Sequence, residues 1–337
     1  MKKQRFTIKR GIMVLLLMIF LMVMIAIISV NSGKMDLSVS QVVQVLLGNG
    51  TEKENLIVFE FRLPRIILAV LVGFGMGASG CIMQSLLRND MASPGTLGIS
   101  SGSGLFVLVF VVMFASKGVS SALTLPLLAF VGGMTAAALI FLLSYRRGRD
   151  ISPTGLILTG VALSSGYGAV TTLLTLKLDQ NQMDFMQRWS AGSLWGDEWT
   201  YLAILAPWIL ILLVYAVYKS RILNTLHLGN QTAAGLGVAV KREFLGLSVA
   251  SVALSSGSVA LGGNFFFVGM ISPHMARKLV GPNHKLLLPA SCLSGAILVL
   301  LADTITRTIS LGTDVPAGIV ITVLSTPYFL YLLAKAN

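Results

Sequence analysis

Long apolar runs broken by short polar stretches organise the whole chain. They fall at 11–30, 64–83, 93–114, 123–144, 152–175, 198–218, 243–261, 264–276, 286–306 and 315–334. Most approach the 20 or so residues that a helix needs to cross a hydrocarbon core of roughly 30 Å. The pattern predicts ten membrane-crossing helices with both termini on the same side. The first run, "GIMVLLLMIFLMVMIAIISV", is followed by no small-residue cleavage signal and reads as a retained span.

Composition agrees with the pattern. The 337 residues are 55% hydrophobic and only 11% charged, with a mean hydropathy of +0.84, which excludes a soluble globular domain. The expected fold is an all-α polytopic membrane protein, one transmembrane domain over 1–337 with a cytoplasmic segment at 219–242. A net charge of +12 suggests nucleic acid at first sight, but the basic residues punctuate apolar runs instead of forming a domain.

Charge placement also predicts orientation. With the N-terminus inside, 17 of the 25 Lys and Arg residues are cytoplasmic, among them Lys2, Lys3, Arg146, Arg147 and Arg149, against three of the 13 acids. That satisfies the positive-inside rule. It also puts "RLPR" (62–65) on the outer side, against the prevailing bias. Arg62 and Arg65 either anchor a helix beginning at Pro64 by snorkelling or serve a partner.

Several chemistries lack their residues. No G-x-x-x-x-G-K-[ST] phosphate loop, H-E-x-x-H zinc motif or G-x-S-x-G elbow occurs. The chain is therefore expected to be non-catalytic, with no metal or cofactor of its own. Ionisable side chains are almost absent from the interiors of the predicted spans; Asp303, near the end of its run, is the nearest to an exception, four residues from Arg307 and able to pair with it on one helix face. That scarcity disfavours an ion-coupled secondary transporter, which remains the alternative. Cys81 and Cys292 read as small packing residues, and His227, His274 and His284 as structural or solvated groups.

Many of the 34 glycines lie in apolar runs. "GFGMGASG" (73–80) mimics a dinucleotide fingerprint, but within a membrane span it reads as close helix packing. The short run "NFFFVGMISPHM" (264–275), interrupted by Gly269 and Pro273, predicts either a discontinuous segment or an ordinary kinked helix. Within 219–242, Leu223, Leu226, Ala233 and Leu236, interrupted by Gly229, Gly235 and Gly237, predict one or two small helices.

The stretches "RLPR" (62–65), "SPGTLGISSG" (93–102), "AGSLWG" (191–196), "LGNQTAAGLGV" (228–238), "FVGMISPHMAR" (267–277), "LADTITR" (301–307) and "VPAGIV" (315–320) occur in an order that resembles the FecCD family of ABC-importer permeases. Those proteins carry iron–siderophores, haem or cobalamin across the bacterial inner membrane. The resemblance implies a type II ABC-importer permease in the bacterial cytoplasmic membrane. It also implies a second permease subunit, two ATP-binding subunits that hold Mg-ATP, and an extracytoplasmic binding protein that delivers a ferric siderophore or related chelate.

By the same resemblance, Arg62, Arg65 and Arg307 receive glutamates of the binding protein. Leu228, Gly229, Asn230, Gln231, Ala234, Gly235, Leu236 and Gly237 form the loop that docks in the ATPase. Asn89, Met91 and Thr154 correspond to an inner gate. The chain departs from the family pattern at Asn230 and Gln231, where an acidic pair is usual, and at Asp90, where proline is common.

Overall fold

A computed structural model describes residues 8–33, 37–113, 121–144, 153–196, 198–308 and 315–336. The basic residues Lys2, Lys3, Arg146, Arg147 and Arg149 and the span ends at 114 and 152 lie outside the described residues. Regular structure among the described residues is entirely helical.

In chain order the elements are α1 (Ile8–Asn31), α2 (Val39–Leu46), α3 (Glu52–Asn55), a π-helical turn (Leu56–Arg62), α4 (Leu63–Leu87), α5 (Ile99–Met113), α6 (Ser121–Ser144) and α7 (Pro153–Thr175). There follow α8 (Gln180–Ser190), α9 (Trp199–Tyr218), α10 (Ser220–His227), α11 (Asn230–Gly235), α12 (Val240–Gly262), α13 (Phe266–Val280), α14 (His284–Thr308) and α15 (Ala317–Ala336). Each of the ten apolar runs contains a helix among the described residues, although the run from 93 is helical only from Ile99. Among the described residues, 7 helices are long and apolar enough to cross a bilayer; α5 and Ala317–Tyr331 of α15 are shorter apolar helices, and α13 carries the run at 264–276.

α4 is the axis of the bundle, buried along nearly its whole length from Pro64 to Leu87. Lipid tails are as apolar as leucine, so close packing and interhelical hydrogen bonds must hold such a bundle together. The glycines of "GFGMGASG" permit that packing. A Cβ on Gly73 would stand 2.4 Å from the backbone of Ala296 in α14, and one on Gly77 would stand 2.2 Å from the Ser291 carbonyl. Against α12, Ser79 and Ser251 exchange hydrogen bonds: each hydroxyl donates to the other's carbonyl, at 2.7 and 2.9 Å.

Two expectations change. The helix does not begin at Pro64; it runs without interruption from Glu52, and Pro64 falls in the first turn of α4 after the π-helical turn. Proline has no N–H and clashes with the carbonyl four residues back. The wider turn absorbs that clash, with the Leu63 N–H bonding to the Val58 carbonyl five residues back.

Nor is the run at 264–276 broken. α13 continues through Pro273 to Val280. The Gly269 carbonyl, which Pro273 cannot serve, lies against Gly80 of α4, and the next carbonyl, of Met270, accepts from the Gln84 amide at 2.9 Å. The backbone around the proline is thus packed against α4 at Gly269 and bonded to it at Met270.

Candidate functional site

α14 runs between two polar regions. At the arginine end, Arg307 Nε donates to Asp303 Oδ2 at 2.8 Å, the helical pair expected from spacing. The structure adds Arg65 of α4, whose Nε donates to Asp303 Oδ1 at 3.0 Å. Asp303 is fully buried, so both of its oxygens are matched by guanidinium groups that remain partly exposed. Arg307 also reaches the Ser29 hydroxyl of α1, and Arg62 the neighbouring Val30 carbonyl. Arg62 is only 4% exposed, so of the three nominated arginines Arg65 and Arg307 are the accessible ones.

All three line one cavity of about 490 Å³, and so does Arg188, which sequence reasoning did not single out. α8 supplies Arg188. Its start was legible in the reciprocal cap between Asp179 and Gln182, where the Gln182 N–H donates to Asp179 at 2.8 Å. The aromatic wall combines Trp195 of the "AGSLWG" loop with Phe185 and Trp189 of α8 and Phe61 of the π-helical turn. Trp195 packs edge-on to Phe185 at 5.3 Å and donates its indole N–H to the Ala260 carbonyl at 2.8 Å. Gly192 in that loop has φ +82°, a left-handed conformation suited to glycine.

At the loop end, 219–242 folds as α10 and α11. Leu223, Leu226 and Ala233 are buried, whereas Leu228 and Leu236 stand 65% and 66% exposed on either side of α11. α11 ends in a Schellman arrangement in which Val238 N–H bonds to Ala233 O at 3.0 Å and Gly237 N–H to Ala234 O at 2.9 Å. Gly237 takes the required positive φ, +82°. Gln231, Ala234 and Gly235 are exposed, Asn230 is half-buried and Gly229 is buried. Lys219 Nζ donates to Glu243 at 2.8 Å, closing the base of the loop, and this bond raises the lysine pKa.

The residues nominated as a gate lie beside this loop. Asn89 and Thr154 line a second cavity of about 580 Å³ together with Arg88, Asp90, His227 and Arg277. Met91 is 42% exposed and does not line it. Asp90 forms an ion pair with Arg277 of α13. Burial, followed by the charge of Arg277, lowers the pKa of His227 from its ordinary 6.5.

The bundle thus carries a basic cavity at one end and a compact helical loop at the other. The chain matches the FecCD transport family over residues 19–335. It is 42% identical over 336 residues to the iron(3+)-hydroxamate import system permease protein FhuG of Bacillus subtilis (strain 168), covering 97% of this chain and 98% of that protein. It is 36% identical over 321 residues to the hemin transport system permease protein HmuU of Yersinia pestis, covering 94% of each. Among solved structures, a metal-chelate type ABC transporter in an inward-facing conformation superposes with a TM-score of 0.82 at 30% identity, covering 96% of this chain and 99% of that one. The chain belongs to the FecCD transport family.

Proposed function

We propose that this chain is the membrane-spanning permease subunit of an ATP-driven importer for a ferric siderophore or a similar iron chelate. The observation that carries the reading is full-length similarity to iron-chelate permeases, 42% identity over 336 residues in one case. In this reading the ten helices each cross the bacterial cytoplasmic membrane with both termini inside, placing the arginine end outside and the loop end in the cytosol.

A second permease subunit completes the passage. Two ATPase subunits dock on residues 228–238, and binding and hydrolysis of Mg-ATP there drive alternating access between gates at the two faces. A binding protein presents its carboxylates to Arg65 and Arg307, with Arg188 beside them and Arg62 bracing the site from below. An arginine fork keeps its charge at any relevant pH and grips a carboxylate in two-pronged fashion. Such partly exposed pairs orient docking more than they add affinity.

The test is uptake of a ⁵⁵Fe-labelled ferric hydroxamate by cells whose only permease of this kind is this chain. Substituting Arg65→Gln, Asp303→Asn and Arg307→Gln together removes the charges without leaving one buried and unpaired. Uptake should vanish while membrane insertion persists; wild-type uptake in that variant would sink the docking role. The ion-coupled alternative predicts instead that uptake collapses with a protonophore while ATP is held constant.

A further inference from the structure

α4 and α14 are closed at both ends by buried polar clasps and fused in between. The Arg65–Asp303–Arg307 cluster closes one end. At the other, His284 opens α14 with 1% exposure and joins three helices. Its backbone N–H donates to Asn224 Oδ1 of α10 at 2.9 Å, and its Nδ1 donates to the same oxygen at 2.7 Å. With Nδ1 as donor, Nε2 turns to the Ser85 hydroxyl of α4. Arg88, the residue after α4, reaches the loop directly: its Nη1 lies 3.3 Å from where a Cβ on Gly229 would stand.

Between the clasps the two backbones meet with no flexible side chain to yield. Beyond the Gly73 and Gly77 contacts, a Cβ on Gly295 would stand 2.2 Å from the Gly73 carbonyl. Sliding one helix along the other would drive backbone into backbone and pull Arg65 off the Asp303 carboxylate. Packed elements of this kind move as bodies and do not deform continuously.

We propose that α4 and α14 act as a single strut, roughly 30 Å long by helix rise, which carries the state of the outer arginine cluster to α10 and the loop beyond it. His284 and Asn224 are positioning residues at its inner end: they fasten the loop's first helix to the strut. This inference rests on the import reading, in which the arginines receive a binding protein and residues 228–238 meet an ATPase.

The test uses the whole transporter, purified with its partner subunits in nanodiscs, and reads the ratio of ATP hydrolysis with and without its binding protein. His284→Ala and Asn224→Ala should each lower that ratio about twofold or more, the range in which coupling positions act. Asn224→Asp keeps the accepting oxygen and should retain most of the stimulation. Residues that merely stabilise the fold would lower the yield of complex and leave the ratio per complex unchanged, which would overturn the proposal.

If the alanine variants fail to assemble, Ser85→Ala removes the Nε2 contact, together with the Ser85 hydroxyl's bond to the Cys81 carbonyl within α4, and should lower the ratio partially; an unchanged ratio there is equally fatal. Spin labels at Leu228→Cys and Lys285→Cys give an independent reading, because the native Cys81 and Cys292 are buried. Their distance distribution should be narrow in the parent and broaden with Asn224→Ala, and an unbroadened distribution would show that the clasp fastens nothing. A parent complex that shows no stimulation removes the import reading, and the strut goes with it; a stimulated parent with equally stimulated alanine variants removes the strut alone.

Discussion

Arg65 and Asp303 lie 238 positions apart in sequence, yet their side chains meet at 3.0 Å where α4 begins and α14 nears its end. Arg307 takes the other oxygen of the same carboxylate at 2.8 Å. Asp303 thereby converts two repelling guanidinium groups on different helices into one fixed cluster, and its two bonds leave it no uncompensated charge despite complete burial.

Removing that carboxylate should cost more than removing any one arginine. Asp303→Ala leaves two like charges adjacent and is expected to destabilise the purified chain by about 3 kcal/mol, the lower part of the range for breaking a buried pair because both arginines are partly exposed. Thermal unfolding in detergent reads the effect. The neutral triple variant with Arg65→Gln, Asp303→Asn and Arg307→Gln should be the more stable of the two; the reverse order would show that the cluster contributes nothing to the fold.

Helix packing gives a sharper contrast. A methyl group on Gly80 would stand 1.7 Å from the Gly269 carbonyl, backbone that cannot yield without moving α13, whereas one on Gly168 in α7 meets nothing within 4 Å. Gly80→Ala should cost about 3 kcal/mol, the upper end for overpacking, and reduce the yield of monodisperse protein. Gly168→Ala should leave the isolated chain unchanged or slightly more stable, because alanine is the better helix former.

Acid should weaken the loop end through His227. Its pKa is lowered in the folded chain, by burial and then by Arg277, so between that lowered value and 6.5 the unfolded chain binds the proton more readily. Stability contributed by neutral His227 is complete above 6.5 and falls as pH drops below it. The melting temperature should decline between about pH 7 and pH 5, and His227→Gln should flatten the decline. An equal slope in both proteins would assign the acid sensitivity elsewhere.

The loop offers a test that separates shape from contact. Gly237 holds φ +82° at the end of α11, so Gly237→Ala should cost about 1 kcal/mol in backbone strain. Leu236 is 66% exposed and touches little of its own chain. Leu236→Asp should leave stability unchanged while lowering recovery of the ATPase with the purified permease. Full recovery would move the docking surface away from this loop.

The sequence by itself determined where most of the helices lie, because apolar length against bilayer thickness is a one-dimensional property: each of the ten runs contains a helix among the described residues, and the two small helices within 219–242 appear where Leu223, Leu226 and Ala233 predict them. Spacing alone also determined the Asp303–Arg307 pair, since four residues bring two side chains together on any helix. α8 and its Arg188 were legible only through a capping pattern, in a segment whose polarity resembles a linker.

Tertiary packing decided the rest. Arg65 joins Asp303, and His284 joins Asn224 and Ser85, because α4 and α14 run side by side, and no local pattern encodes which helices become neighbours. The burial of Arg62 and the unbroken passage of α13 through Pro273 have the same origin. Each depends on a partner from elsewhere in the chain that satisfies a charge or a carbonyl, and in a low-dielectric bundle that satisfaction decides which local conformation survives.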